Sequence, residues 1–227
     1  MLSTLTNWYH ITTGQFGYPQ PESDFGYIHK TYDTANACLT CNIGLQQKDE
    51  FRFRSEPKAK HSQFMGLNWV FDQVFVRQIV KDIFEQEKIT GLNFSQPVIN
   101  KTGLPVEGIY QLRVDNLISS GLSTENLKTE TCELPKDKST LKFLKANNSK
   151  LVEGPFCGQT KYNFPQGDHH FKIKSPVFEV QPDFVRLDYY FGSGGSANRP
   201  ILVSERIKQL IEREKWRGAF LHQIELV

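Results

Sequence analysis

Two segments of the chain carry apolar residues at the spacing of an amphipathic helix. In the first, Val76, Val80, Ile83 and Phe84 recur at helical intervals, and polar residues occupy most positions between them. This period places the apolar side chains on one face and the charged ones on the opposite face. Because such a helix must bury its apolar face against another layer, the pattern predicts a helix docked on a sheet.

The second segment, residues 203–226, has the same organisation. Four apolar residues again recur at helical spacing: Val203, Ile207, Leu210 and Ile211. In both segments a glycine follows (Gly91 and Gly218), and after it comes an apolar-rich extended stretch, residues 92–99 and 219–227. Since glycine takes the left-handed conformation that ends many helices, each segment predicts a helix, a glycine stop and a strand.

The two segments align without a gap at a constant offset of 127 residues, from Val76 to Val203. Identical residues occupy these aligned pairs: Val76/Val203, Lys81/Lys208, Glu85/Glu212, Glu87/Glu214, Lys88/Lys215, Gly91/Gly218 and Gln96/Gln223. Self-similarity at a long period indicates a duplicated supersecondary unit.

Short strands are predicted around these two units, at residues 26–32, 51–53, 108–114 and 183–192. Residues 115–150 are rich in Lys, Ser, Thr and Asn, which predicts loops and short strands forming a mobile insert. Each half then runs from a cysteine segment through strands to a helix, a glycine and a strand. This order predicts an α+β fold: a pseudo-duplicated domain with one mixed or antiparallel sheet and two helix-Gly-strand units.

The predicted organisation has three segments. Residues 1–100 form an N-terminal half with a CxxC motif and the first unit, residues 101–150 connect, and residues 151–227 form a C-terminal half with the second unit. A chain of 227 residues can bury one large core, so we expect one compact domain.

The charge and composition of the chain indicate which classes of partner to expect. The formal net charge is +2 and no arginine-rich run is present, which argues against a nucleic-acid partner. No apolar window approaches the length of a membrane span, and the N-terminal residues lack the basic start and apolar centre of a signal peptide. With no cysteine near either end, a lipid anchor is also not expected. These patterns predict a cytoplasmic protein without a membrane partner.

Four cysteines carry the most distinctive chemistry: Cys38, Cys41, Cys132 and Cys157. In a cytoplasmic protein, cysteines are more often thiols or metal ligands than structural disulfides. Zn²⁺ prefers four tetrahedral S or N ligands, commonly supplied in pairs from C-x₂-C knuckles, and Cys38 and Cys41 have that spacing. Cys157-Gly158 has the form of half a second knuckle, in which Gly154 occupies the position of the first cysteine.

We therefore predict a structural zinc site that uses the four cysteines. His61, His169 or His170 are alternative nitrogen ligands for the fourth position. Two further interpretations remain open: degraded metal ligands, or thiols buried as small apolar groups. A redox CxxC motif is less favoured, because nothing in the pattern places Cys38 at a helix N-terminus after a strand.

Other catalytic patterns are weaker. A thiol nucleophile at Cys157 would need a base, and His169 or His170 are the candidates. Adjacent histidines in a strand point to opposite faces, so they do not easily share one role. The glycine-rich stretch FGSGGSANRP matches neither the GxxxxGK[ST] nor the GxGxxG phosphate-binding pattern, and a flexible linker ahead of the second helix is the better interpretation. Ser204 is a candidate cap for that helix.

Five stretches carry a resemblance to a known family: ACLTCNIGLQQ, GLNWVFD, KITGLNFSQPV, GPFCGQTKY and ILVSERIKQLIEREKWRGAFLHQIEL. Together they resemble the bacterial proteins named for a double CxxCG motif, some of which are classed as immunity proteins of polymorphic toxin systems. The resemblance covers roughly residues 35–99 and 150–227. It departs in two places: the first motif, CLTCN, lacks the final glycine, and the second, GPFCG, lacks its first cysteine. The paired cysteines of the family therefore correspond to Cys38, Cys41 and Cys157 only.

The resemblance implies a non-enzymatic protein that binds and neutralises a cognate protein toxin, and this is the leading functional hypothesis. The absence of a coherent catalytic motif and the near-neutral charge agree with it. Two alternatives from other classes are a zinc-dependent or thiol enzyme that uses Cys157 with His169 or His170, and a zinc-ribbon-like nucleic-acid-binding module.

Overall fold

The computed structural model describes residues 7–14, 27–58, 61–68, 70–165, 170–179 and 181–227. Within these ranges the chain forms four α-helices: α1 (Tyr27–Thr31), α2 (Gln78–Gln86), α3 (Lys138–Ala146) and α4 (Glu205–Arg213). The strands, in chain order, are β1 (Trp8–Thr13), β2 (Tyr32–Asp33), β3 (Gln46–Gln47), β4 (Arg52–Phe53), β5 (Phe64–Leu67), β6 (Val70–Arg77), β7 (Asn93–Ser95), β8 (Val98–Ile99), β9 (Ile109–Arg113), β10 (Leu117–Ile118), β11 (Thr129–Thr131), β12 (Thr160–Tyr162), β13 (Lys172–Ile173), β14 (Phe184–Leu187), β15 (Ile201–Ser204), β16 (Ala219–Gln223) and β17 (Glu225–Leu226).

Two larger sheets organise the fold. One has the strand order β10-β14-β15-β1-β16 and is antiparallel except for the parallel pair β10–β14. The other has the order β5-β6-β9-β7 and is antiparallel throughout. The described residues also form the two-stranded pairs β11–β12, β13–β17, β2–β3 and β4–β8. The predicted α+β class is confirmed.

The prediction of one sheet is wrong, and the strand pairing gives the reason. After α2 the chain returns as β7 to pair with β9, which already pairs with β6. After α4 it returns as β16 to pair with β1, which already pairs with β15. In each unit, the strand after the helix pairs with a strand that is already paired along its other edge. The two units therefore contribute to two different sheets.

The positions in the two units correspond closely. Helices α2 and α4 begin and end 127 residues apart, and the residues that follow them, Lys88 and Lys215, have the same φ of 54°. The register corresponds as well: Phe94 faces Leu112 in one sheet, and Leu221 faces Ile11 in the other. The two predicted units thus adopt the same local structure.

The glycines do not end the helices, contrary to the sequence prediction. Each helix ends at its C-cap, Glu87 or Glu214, and the left-handed residue is the lysine after it. The left-handed lysine still donates its N–H group to a carbonyl of the helix, as in the bond from Lys88 N to Glu85 O. This hydrogen bond offsets the strain of the left-handed backbone.

Gly91 and Gly218 are required for a different reason, which is close approach to the other sheet. Both have positive φ, 86° and 93°. A Cβ atom on Gly91 would lie under 3.0 Å from the carbonyl oxygen of Phe184 in β14, and one on Gly218 would meet Phe64 in β5 in the same way. The loop of each unit therefore lies against the first residue of a strand in the other sheet.

The largest hydrophobic cluster joins the two sheets and the two helices. Its buried members include Val80 and Phe84 of α2 and Ile207, Leu210 and Ile211 of α4, as the helical periodicity predicts. Since this cluster draws on residues before 100 and after 151, a shared core connects the two halves. None of the helices in the described part of the chain combines the length and the apolar character required to cross a membrane.

Two local predictions are wrong. Residues 27–31 form helix α1 instead of part of a strand at 26–32. The connecting segment has the expected short strands β10 and β11, but it also contains the unexpected helix α3, whose N-cap Asp137 accepts a hydrogen bond from Thr140 N. Ser204 is the N-cap residue of α4, but its side chain makes no capping bond there; its Oγ donates to Asp183 Oδ1 at 3.0 Å instead.

Candidate metal centre

The four cysteines meet at one place, although they are far apart in sequence. The Sγ atoms of Cys38, Cys41, Cys132 and Cys157 all lie within 4.8 Å of one another. Two of the separations are 3.8 Å, between Cys38 and Cys132, and 3.7 Å, between Cys41 and Cys157. None of the four forms a disulfide.

These separations match a tetrahedral metal site. With metal–sulfur bonds of about 2.3 Å, a tetrahedral Zn²⁺ site has sulfur–sulfur edges of about 3.8 Å. A disulfide would instead bring two sulfurs to about 2.05 Å. The four cysteines thus form a donor set whose size and chemistry fit one soft divalent cation.

The first pair is presented by a tight knuckle. Cys38 N donates to Ile43 O at 2.9 Å, and Asn42 N donates to Cys38 O at 2.6 Å, which closes the turn around Cys41. Asn42 has a φ of 62° and Gly44 a φ of 85°. Asparagine tolerates the left-handed region better than most residues, so Asn42 can occupy this turn without a glycine.

The second pair is assembled by the β11–β12 ribbon. Its register aligns Thr131 with Thr160, and the ladder continues through bonds from Cys132 N to Gln159 O and from Gly158 N to Cys132 O. Cys132 and Cys157 therefore lie at the open end of one ribbon.

Hydrogen bonds hold the knuckle and the ribbon together. Thr40 Oγ1 donates to Pro155 O at 2.8 Å, on the chain that leads into Cys157. Asn42 Nδ2 donates to Gly195 O at 2.8 Å, which attaches the glycine-rich loop to the same knuckle. The hydroxyl of Tyr190 accepts from Gly44 N at 3.1 Å. The sulfurs are thus positioned by the backbone of three separate segments.

The glycine-rich loop depends on a buried lysine. The side chain of Lys161 in β12 is 1% exposed, and its Nζ donates to the carbonyl oxygens of Gly194 and Ser196. Glu130 of β11 lies 3.4 Å from that nitrogen and accepts a bond from Gly194 N. The glycine-rich loop, which the sequence predicted to be a flexible linker, is therefore hydrogen-bonded to the ribbon that carries Cys132.

Burial and hydrogen bonding act differently on the four thiols. Burial raises the pKa of Cys41 and of Cys132, since it disfavours the thiolate. Burial acts in the same direction at Cys38, but the backbone N–H groups of Cys41 and Thr40 lower the pKa of the Cys38 thiol to about 7. A bound cation would favour the thiolate form at every member of the cluster.

The histidines predicted as alternatives lie elsewhere or are not described. Among the described residues, the potential metal ligands grouped with Cys157 are the other three cysteines, without a histidine. His61 is exposed, and His170 is exposed at the edge of a separate cavity. His169 lies outside the described residues. Cys132, which the sequence predicts as the fourth ligand, lies with the other three cysteines, and its metal binding stays a prediction.

Sequence reasoning missed a second set of polar residues, His10 and His222. They are register partners in the β1–β16 pair, and their ring centroids lie 6.0 Å apart. Isolated histidines in strands 212 positions apart carry no sequence signal; only the strand pairing brings them together.

In comparisons with known proteins, no protein-family model and no curated protein matched this chain.

Proposed function

We propose that the four cysteines bind one Zn²⁺ ion that stabilises the region formed by the knuckle, the ribbon and the glycine-rich loop. The observation that carries this proposal is the set of sulfur–sulfur distances, 3.7 and 3.8 Å with all four atoms within 4.8 Å. Four thiolates complete a tetrahedral shell, which is typical of structural rather than catalytic zinc.

Metal analysis of the purified chain tests the proposal. We expect about one equivalent of zinc in the wild type and a strongly reduced content in Cys132→Ser, because a hydroxyl is a poor zinc ligand. Thr131→Ser, next to the same ligand but without a sulfur, is the matched control and should retain the metal. Less than about a tenth of an equivalent in wild-type protein prepared without chelators and reconstituted with zinc would contradict a zinc site.

We further propose that the chain is a non-catalytic immunity-type protein, which binds and neutralises a cognate bacterial toxin in the cytoplasm. The resemblance of the sequence supports this function. Three exposed apolar side chains beside the cysteines support it independently: Leu39 is 40% exposed, Leu134 47% and Phe156 36%. Large apolar side chains held at the surface by a rigid framework are typical of a surface that binds another protein.

Co-expression tests this function. If a neighbouring gene encodes a toxin, the wild-type chain should restore growth when the toxin is produced. We expect the double variant Leu39→Ser/Phe156→Ser to lose protection while it keeps its zinc, because the change removes apolar contact area without touching a ligand. Leu104→Ser is the control, since Leu104 is 64% exposed but lies in the turn after β8. Equal protection by the double variant and the control would contradict this placement of the binding surface.

The two helix-strand units are, we propose, copies of one ancestral unit. The equal helix bounds, the equal lysine φ values and the corresponding strand register support this proposal. A search of related chains tests it: their two units should align at one common offset, and unrelated offsets would contradict a duplication.

A further inference from the structure

A cavity of about 530 Å³ lies beside the β1–β16 pair, away from the cysteines. We call it the histidine cavity and define it by six of its lining residues: His10, Thr12, Phe164, Phe171, His222 and Gln223. Its volume falls within the range of small-molecule sites, about 300–1,000 Å³. Neither the metal centre nor the proposed toxin surface includes these side chains.

The polar groups of the cavity come from one face of the strand pair. His10 and His222 are directly opposite each other, so their side chains lie on the same face. Thr12 is two residues after His10 and shares that face. Its Oγ1 lies 3.2 Å from Nε2 of His222, within hydrogen-bonding distance. The result is a short row of groups that can donate or accept hydrogen bonds.

Aromatic rings form the adjoining wall. The ring of Phe164 is nearly parallel to that of His10, with centroids 5.9 Å apart and planes 14° apart. The buried ring of Phe171 meets His10 edge-on at 5.1 Å. His222 and Gln223 are exposed and therefore stand at the opening. A flat molecule entering between them would meet ring faces and hydrogen-bonding groups together.

The described lining of this cavity differs in its charged side chains from that of another cavity in the chain. Among the described residues, no Asp, Glu, Lys or Arg side chain lines the histidine cavity. A second cavity, of about 620 Å³, is lined by Arg113, Arg186, Arg199 and Asp115. Arg113 faces Asn93 across β9–β7 as Thr12 faces Phe220 across β1–β16, so an arginine occupies the place of Thr12.

His10 adds no charge at neutral pH. Burial of the ring, and secondly the neighbouring His222, lower the pKa of His10 to about 3. A neutral imidazole has one donor and one acceptor nitrogen.

We infer that the histidine cavity binds an uncharged, planar heteroaromatic molecule of one or two fused rings. A charged ligand would lose its hydration without meeting an opposite charge, which is costly. A purely aliphatic ligand would displace water from the His10 ring and from the nitrogen of His222 that does not face Thr12, and it would offer no hydrogen bond in return. A flat ring that carries both a donor and an acceptor satisfies the row of polar groups and stacks on the aromatic wall.

Ligand-observed NMR and calorimetry on the intact chain test this inference, with benzimidazole, adenine and indole as neutral probes at pH 7.5. Benzoate and benzamidine are charged controls of similar size. For probes of about ten heavy atoms we expect a Kd of about 0.1–1 mM, and binding at least about tenfold weaker for the two charged controls. In the wild type, benzimidazole should shift the ring resonances of His10 and His222 and leave those of His29 unchanged, since His29 is exposed in α1.

A variant pair completes the design. His222→Leu should weaken benzimidazole binding at least about fivefold by removing one imidazole at the opening, whereas His29→Leu should not change it. Three results would overturn the inference: no binding of any neutral probe at about 5 mM, a range that covers weak fragments; equal binding of the charged controls; or shifts confined to histidines outside the cavity. The wild-type resonances decide the question even if His222→Leu fails to fold.

Discussion

Replacing Gly218 by alanine tests how the two sheets are held together. Gly218 connects α4 to β16 with a φ of 93°, and a Cβ atom there would lie under 3.0 Å from the carbonyl oxygen of Phe64. Phe64 is fully buried, and its N–H donates to Arg217 O at 3.0 Å. Gly103 provides the matched control: its φ is also positive, at 71°, but a Cβ there would have nothing within 4 Å.

The two substitutions share one cost and differ in another. Alanine in a left-handed conformation costs about 1–2 kcal/mol at either position. At Gly218 the added methyl group must also displace a buried strand, which costs about 1–3 kcal/mol by analogy with overpacked cores. Weakening the bond between Phe64 N and Arg217 O adds about 1 kcal/mol. We therefore expect Gly218→Ala to lose about 3–6 kcal/mol of unfolding free energy and Gly103→Ala to lose about 1–2 kcal/mol.

Urea unfolding, followed by tryptophan fluorescence, measures both losses. Gly91→Ala should resemble Gly218→Ala, because its Cβ would meet the carbonyl oxygen of Phe184 in the same way. If Gly218→Ala and Gly103→Ala differ by less than about 0.5 kcal/mol, the close approach does not constrain the fold, and left-handed strain alone explains both results.

Two further predictions concern buried polar groups. The pKa of His10 is about 3 in the folded chain against 6.5 in its ordinary state, so the unfolded chain binds more protons below pH 6.5. Stability should fall as the pH decreases from about 6 towards 4, by at most about 1.4 kcal/mol per pH unit, and urea titrations of His10→Gln should show a shallower slope; equal slopes would contradict this. Lys161→Met should cost about 1–3 kcal/mol, because the carbonyls of Gly194 and Ser196 lose their donor. The exposed pair of Lys172 with Glu225 gives the control, for which Lys172→Met should cost under about 1 kcal/mol, and equal losses in thermal unfolding would contradict the role of Lys161.

The helices could be predicted because their signal is local. The apolar residues at Val80 and Phe84 recur with the helical period, and a sheet on one side and solvent on the other produce that period directly. Helix α3 was missed because its apolar pattern is weak: none of its residues is buried, and Phe143 is 67% exposed. Its N-cap signal, Asp137 followed by Ser139 and Thr140, was present in the sequence and could have located its start.

The sheets and the sites could be predicted only in part, because their contacts are long-range. The C-x₂-C spacing identifies Cys38 and Cys41 as a candidate metal-binding pair. Cys132 is placed beside them by the register of β11 and β12, which no local sequence pattern specifies. His10 and His222 meet for a similar reason, through a strand pair that spans nearly the whole chain. Spacing therefore predicted the knuckle, and strand pairing determined its partners and the histidine cavity.

Asn42 adopts the left-handed conformation within the knuckle, and this leads to a final prediction. Its φ is 62°, and its Nδ2 donates to Gly195 O. Asn42→Gly keeps access to the left-handed conformation and loses only that hydrogen bond, whereas Asn42→Ala loses the bond and adds strain of about 1 kcal/mol or more. Competition with a zinc chelator should therefore show metal binding at least about fivefold weaker in Asn42→Ala than in Asn42→Gly, which corresponds to about 1 kcal/mol. If the two variants bind zinc equally, the left-handed turn is not what Asn42 supplies, and the bond to the glycine-rich loop accounts for its place in the knuckle.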